Sequence, residues 1–353
     1  MTKGKVFVAL SGGVDSAVST YLLKKDGYDV TGVYMKGWTA PDVECRESED
    51  RQDAARIAAT LGIAFQTLDT SKAYETLVLQ PFLHDYAQGL TPNPDVLCNS
   101  HIKFGVFADY ARKNGADVLA TGHYARIIGG NILNGKDPNK DQTYFLWQTP
   151  KEVLPILRFP IGDLEKSEVR RIAQEATLPV AEKPDSQGVC FIGELDMQTF
   201  LRKRIPTRKG DILDEQGNVL GLHDGVPFFT RGQRHGIGIS APEPYYVAER
   251  NITNNTITVV EGREHPALHS QSIVVGQLHW LSDTPPHGEL FAQIRYRGER
   301  HPVRLETCGE GVLQFTAQGS PFWAPEKGQS LVLYEKQGED YMLLGGGVIH
   351  EYF

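Results

Sequence analysis

Three stretches of this sequence carry residue types that do chemistry. The first, Leu10-Ser11-Gly12-Gly13-Val14-Asp15-Ser16, sets paired glycines and two hydroxyls between an apolar run and a helical pattern. Glycines let a backbone turn tightly and come close to a ligand, and amides at the start of a helix point outward as anion donors. Strand, loop and helix in that order suit a phosphate. The loop is not a Walker A motif, since no Gly-Lys-Ser/Thr follows, and it lacks the spacing of the dinucleotide fingerprint. A plain strand-to-helix turn is the structural alternative.

The second stretch is Thr91-Pro92-Asn93-Pro94-Asp95-Val96-Leu97-Cys98-Asn99. Asn93 suits an N-cap and Pro94 the first helical position, so a helix is predicted through Ile102, Phe104, Phe107 and Tyr110 to a stop near Gly115. Asp95 and Cys98, three apart, share a face of its opening turns. A thiol there feels the positive end of the helix, while the carboxylate beside it can accept or return a proton. A capped helix with a buried cysteine is the alternative. The third stretch, Lys183-Pro184-Asp185-Ser186-Gln187-Gly188-Val189-Cys190-Phe191-Ile192-Gly193-Glu194, sets a second cysteine after a polar loop; its bland reading is a strand residue. Pattern alone does not bring Cys98 and Cys190 together.

The elements that must position these residues alternate at first. Strands are predicted at Lys5 to Leu10, Asp29 to Met35, Ala64 to Leu68 and Asp117 to Ala120, with helices after the glycine loop and at Glu47 to Leu61, Ala73 to Gln88 and Leu164 to Ala176. That alternation implies right-handed crossovers and a parallel sheet covered on both faces, with ligands at the carboxyl ends of its strands. After Arg204 short β-like runs separated by turn residues take over, including Phe291 to Tyr296, Val312 to Thr316, Ser330 to Tyr334 and Tyr341 to Leu344, which suggests small barrels or sandwiches. Boundaries are expected near Arg204 and His269.

A chain of 353 residues with 40% hydrophobic and 23% charged composition is long enough for two or three cores. The opening apolar run is too short for a signal peptide or a membrane span, so a cytoplasmic protein is expected. Cys45, Cys98, Cys190 and Cys308 include no CxxC pair, which argues against a zinc knuckle or a disulfide framework. The net charge of −8 alone argues against a nucleic-acid partner. Local basic groups temper it: Arg202-Lys203-Arg204 with Arg208-Lys209, and Arg295, Arg297, Arg300 and Arg304. Acidic residues crowd Asp42 to Asp53.

Ser-Gly-Gly-Val-Asp-Ser in this setting resembles the pyrophosphate loop of enzymes that split ATP to form adenylates. The wider set of segments resembles the tRNA-specific 2-thiouridylase family: Ser11 to Ser16, Tyr34 to Trp38, Thr91 to Asn99, Ile102 to Phe104, Thr121 to Arg126, Lys140 to Phe145, Asp185 to Glu194, Gly232 to Arg234 and Gly236 to Gly238. They run in order along nearly the whole chain. Departures are slight, Ala17 standing where serine is frequent and Leu10 where methionine is frequent.

The resemblance implies an α/β N-terminal domain (1–204) with a parallel sheet and an adenine nucleotide alpha-hydrolase-like pyrophosphate-loop fold. A small mostly-β central domain (205–268) and a C-terminal tRNA-binding β-barrel (269–353) follow. It implies ATP with Mg2+ as substrate, bound by Ala9, Leu10, Ser11, Gly12, Gly13, Val14, Asp15, Ser16, Met35 and Gly122, with Asp15 helping to place the metal. Asn93, Pro94 and Asp95 would meet a flipped wobble uridine, and His123, Lys140, Asp141, Gln142, Arg295, Tyr296 and Gln329 other parts of the tRNA. Arg295 and Tyr296, as neighbours on a predicted strand, should face opposite ways unless one sits at a bend. Cys190 would carry a persulfide, with Cys98 as its partner thiol and Asp95 as acid/base. The sulfur would come from a persulfide donor such as a cysteine desulfurase or relay protein, and the tRNAs would be those for lysine, glutamate and glutamine. Three other readings stand beside this one: another pyrophosphate-loop ligase, an RNA-binding module without catalysis, and an iron–sulfur cluster on Asp95, Cys98 and Cys190.

Overall fold

A computed structural model describes residues 2–39, 47–185, 197–239, 242–283, 286 and 288–353. Cys45, Cys190 and the rest of the 186–194 stretch lie outside the described residues. Short runs rich in apolar residues form β1 (Lys5–Ala9), β2 (Asp29–Lys36), β3 (Ala64–Asp69) and β4 (Val118–Ala120). A hairpin of β5 (Ala125–Ile128) and β6 (Asn131–Asn134) follows, then a short β7 (Leu157–Arg158). Five of these strands build one parallel sheet in the order β3-β2-β1-β4-β7.

The central strand β1 shows why the sheet is covered on both faces. Phe7 and Ala9 join a core with Tyr74, Phe82, Ile102 and Phe107, whereas Val6 and Val8 alternate to the other face against Leu23 and Val118. Two of the covering helices are α1 (Val14–Lys25) and α2 (Glu47–Leu61). The chain leaves β1 toward β2 and β3 on one side and returns to β4 on the other. The loops after β1 and β4 therefore face each other at the switch point where such sheets bind ligands.

The second region is a four-stranded sheet of β8 (Gly210–Leu213), β9 (Val219–His223), β10 (Tyr245–Asn251) and β11 (Thr256–Glu261), ordered β10-β11-β8-β9. The pair β12 (His269–Ser270) and β17 (Phe322–Trp323) borders the third region. That region contains β13 (Ser272–Trp280), β14 (Leu290–Gln293), β15 (His301–Gly309), β16 (Val312–Ala317), β18 (Ser330–Gln337) and β19 (Asp340–Tyr352). They pair in the order β13-β16-β15-β14-β18-β19, and β19 returns to β13, closing a six-stranded barrel. Ile273, Val275, Phe315, Leu331 and Leu333 fill its core. Closure leaves the barrel no free edge within that ring.

Three features depart from the strand expectations. The β5–β6 hairpin, although encoded in the N-terminal part, pairs with β19 through Leu133 and Met342 and so extends the barrel sheet. The strand expected over 291–296 stops at Gln293, where the chain turns with Arg297 at φ +58°. The strand expected at 341–344 instead continues to Tyr352, its glycines 345–347 paired on one side with Leu331 to Leu333.

A buried ion pair fastens the regions together. Arg250 of β10 meets Glu326 at 2.7 Å, the side chains 6% and 2% exposed. The same guanidinium donates to the carbonyls of Gly89 and Phe229, and the backbone amide of Arg231 donates to Glu326 at 2.6 Å. Among the described residues no helix is long and apolar enough to cross a membrane.

Candidate active site

The glycine loop sits where its spacing predicts, between β1 and α1. Gly12 has φ +83°, and a Cβ there would lie 2.3 Å from the carbonyl oxygen of Asp50, so no side chain fits. The Ser16 hydroxyl donates to the Gly13 carbonyl and accepts from the Ser11 amide, while the two serine hydroxyls stand 3.1 Å apart. These bonds fix the loop's shape. Gly122, after β4, presses on the start of α1: a Cβ there would meet the Ser16 amide nitrogen at 2.8 Å. Ala9, Leu10, Val14 and Met35 are buried in the surrounding cores, so Ala9, Leu10 and Val14 can offer a ligand only their backbone.

A ring of charge surrounds the loop. Asp15 Oδ1 accepts from Lys166 Nζ at 2.7 Å and from the Tyr124 hydroxyl at 2.8 Å. Lys166 also reaches Asp185 at 2.8 Å, and Lys140 and Arg170 complete three cations around that one carboxylate. Burial pushes the Asp185 carboxyl up, but its hydrogen bonds from Lys140 and Lys166 outweigh this and hold it at about 2. Lys183 Nζ donates to the Gly12 carbonyl at 3.2 Å and to Asp50 and Asp53 at 2.7 Å each. Burial works against the charge on Lys183, but the two carboxylates shift its ammonium upward overall.

The second stretch also folds as its caps dictate. Asn93 accepts from the Asp95 amide at 3.1 Å, Pro94 opens the helix, and helical backbone runs over 94–113 with a π-wound section at Cys98–Val106. Cys98 is free and wholly buried. Beyond it Asn99 donates to the Phe145 carbonyl and accepts from Lys103. The Lys103 ammonium lies 3.4 Å from His123 Nε2, and Thr121 Oγ1 lies 2.7 Å from Nδ1. An ammonium can only donate, so Nε2 accepts and the ring proton belongs on Nδ1. His123 is 7% exposed between Phe104 and Phe159, and burial, aided by Lys103, drives its pKa well below the usual histidine range.

Four residues proposed from sequence for RNA meet in one cavity of about 130 Å³: Asn93, Arg295, Tyr296 and Gln329, joined by Tyr144 and Thr230. The turn that ends β14 aims both Arg295 and Tyr296 into it, closed by a bond from the Gly298 amide to the Arg295 carbonyl. Arg295 is anchored on the carbonyls of Arg231 and Ala324, and Tyr296 packs on Phe145 with ring centres 4.6 Å apart. Gln329 donates to the Thr91 carbonyl, which ties the barrel to the segment leading into Asn93.

Lys140, Asp141 and Gln142 lie apart from that cavity and are engaged within the protein. Lys140 holds Asp185, Asp141 pairs with Arg300 and accepts from the Gly135 amide, and Gln142 accepts from the Tyr124 amide. Sequence reasoning assigned no role to Tyr124, Tyr144, Lys166, Lys183 or Thr230. A phosphate loop without a lysine of its own must draw its cations from elsewhere, but no sequence signal says which lysines supply them.

Models of known families match three successive parts of the chain. Residues 4–194 match a tRNA methyl transferase HUP domain, 198–261 a tRNA methyl transferase PRC-barrel domain, and 270–349 an aminomethyltransferase beta-barrel domain. Whole-chain relatives are named differently. The chain is 44% identical to tRNA-specific 2-thiouridylase MnmA 1 of Geobacillus kaustophilus, over 99% of its own length and 96% of the relative's. It is 43% identical to tRNA-specific 2-thiouridylase MnmA of Bacillus subtilis, covering 99% and 95%, and 42% identical to that of Nitrosomonas europaea, covering 99% of each.

Proposed function

The chain belongs to the tRNA-specific 2-thiouridylase family, and from that premise we propose that it activates the C2 oxygen of a wobble uridine in tRNA with ATP and replaces it with sulfur carried on Cys190. The observation that carries this reading is the cavity built from Asn93, Thr230, Arg295, Tyr296 and Gln329, which opens at the head of the helix bearing Asp95 and Cys98. A base leaving the anticodon stack needs such a recess, with donors for its edge and an aromatic wall.

The chemistry divides between two sites. Uracil C2 is a poor electrophile whose oxygen is a poor leaving group. Attack of that oxygen on the α-phosphorus of ATP expels pyrophosphate and makes AMP the leaving group. Loop amides from Gly12 to Ser16 would hold the phosphates, and Asp15 would carry Mg2+. The terminal sulfur of a Cys190 persulfide then adds to C2, either directly or after release as sulfide by Cys98. AMP departs, the two thiols end as a disulfide, and Asp95 moves the proton. An external thiol must then reduce that disulfide. Since Cys98 is wholly buried, its shell opens before sulfur is transferred. The substrates on this reading are the tRNAs for lysine, glutamate and glutamine, and the sulfur donor is a persulfide-bearing protein.

The test is mass spectrometry of tRNA nucleosides after incubation with ATP, magnesium and a persulfide donor, paired with a pyrophosphate assay. Cys190→Ser should yield no 2-thiouridine while tRNA-dependent pyrophosphate release continues. An active Cys190→Ser enzyme overturns the sulfur-carrier role. Pyrophosphate release that needs no tRNA points to a ligase for a smaller substrate. Thiolation by colourless, iron-free protein disposes of a cluster held by Asp95, Cys98 and Cys190.

A further inference from the structure

The phosphate loop from Ser11 to Ser16 contains no lysine or arginine. Its amides and the start of α1 carry only partial positive charge, whereas the two outer phosphates of ATP carry most of the nucleotide's negative charge. Asp50 and Asp53 add to the mismatch. Both lie at the loop, Asp50 so close that its carbonyl excludes a side chain from Gly12. A phosphate arriving here meets carboxylates as well as donors, and something must offset them.

The fold brings two ammonium groups to this place from far along the chain. Lys183 Nζ is a single hydrogen bond from the loop backbone at Gly12, between Asp50 and Asp53, with its side chain 25% exposed. Lys166 Nζ, 15% exposed, bridges Asp15 of the loop to Asp185. Neither is a solvated surface lysine: carboxylates pin each ammonium beside the loop, largely desolvated and pre-positioned.

We propose that Lys183 and Lys166 bind the β- and γ-phosphates of ATP, a refinement that rests on the ATP-dependent function above. The carboxylates act as placeholders. They hold the ammonium groups in position in the empty enzyme, and each lysine passes part of its hydrogen bonding to phosphate oxygen when the nucleotide arrives. Lys183 serves the end of the phosphate chain at Gly12. Lys166 serves the side at Asp15, where exchanging its bond frees that carboxylate for a metal ion.

Affinities of the full-length enzyme for a non-hydrolysable ATP analogue and for AMP, each with magnesium, decide the matter. A charge-assisted bond to phosphate corresponds to roughly ten- to hundred-fold in affinity. Lys183→Met and Lys166→Met should each weaken the ATP analogue by about that factor and leave AMP within about twofold. Lys183→Arg should recover most of the loss. Asp53→Asn removes a competitor but keeps the cation, so it should tighten the ATP analogue; this variant serves if the methionine variants fold poorly. Equal losses for both nucleotides would make the lysines mere braces of the loop and overturn the proposal, as would unchanged affinities. Failure of the thiolation reading shows separately, as absence of tRNA-dependent pyrophosphate release from the unsubstituted enzyme.

Discussion

His123 is a side chain whose surroundings only the fold reveals. Sequence put it against RNA; in the structure it is sealed among Phe104, Phe159 and Thr121, and RNA can reach it only if that shell moves. Its burial has a measurable consequence. The folded ring resists protonation, so below pH ~6.5 the unfolded chain binds the proton that the folded chain refuses, and stability falls as pH drops. One such group contributes a slope of up to about 1.4 kcal/mol per pH unit. His123→Gln should flatten the fall in urea-unfolding free energy between pH 6.5 and 5 by about that amount; an unchanged slope would mean the ring is accessible to protons after all. Lys166 and Lys183 lie at the opposite extreme of legibility. Nothing local marks a lysine as belonging to a loop some 150 residues away, because only the tertiary fold supplies the neighbours that define its role.

At the scale of elements, local rules with a mechanism transferred well. Asn93 and Pro94 predicted a helix start and Gly115 its stop, and α2 spans the alanine-rich run from Glu47 to Leu61. The cap can be separated from base binding. Asn93→Ala should destabilise by about 1 kcal/mol and also lose thiolation, because cap and cavity wall go together. Asn93→Asp keeps an acceptor for the Asp95 amide, so it should stay near full stability while tRNA thiolation falls, since the amide donor is gone; denaturation and nucleoside analysis of both variants check this. Elements closed by distant partners were less legible. The alternating run allowed a bend at Arg295 or Tyr296 but not an end of β14 at Gln293, because the turn after it is held by Arg295 reaching the carbonyls of Arg231 and Ala324. Glycines 345–347 looked like a strand end, yet neighbouring strands on both sides carry β19 through them.

For the whole molecule, the class of fold followed from alternation giving way to short strands, but how the parts meet did not. Glu326 gathers Arg250 and the Arg231 amide at the seam, and Arg250 reaches Gly89, four residues before Asn93. Removing one partner of a buried ion pair leaves the other uncompensated, at about 3–5 kcal/mol. Glu326→Ala should therefore lower unfolding free energy by about that much, whereas Glu326→Gln, which keeps one acceptor oxygen but turns an NH2 toward the other donor, should recover only part of that loss. Equal losses would show that charge rather than hydrogen bonding holds the seam. The basic runs also read differently in three dimensions. Arg202 pairs with Asp224, Arg204 lies on Phe200 and Trp38, and Arg300 lies on Tyr334 and Tyr341 while pairing with Asp141. Much of that charge serves internal packing.

The hairpin shared between the N-terminal part and the barrel has a bearing on how the protein is made. Arg126 pairs with Asp340, 214 positions later, so the ribosome releases one partner long before the other exists. Through most of synthesis the hairpin has no docking strand. Maturation of the first half therefore waits on residues translated much later, and a chain cut short before Asp340 would leave its defect beside the nucleotide loop as well as in the barrel.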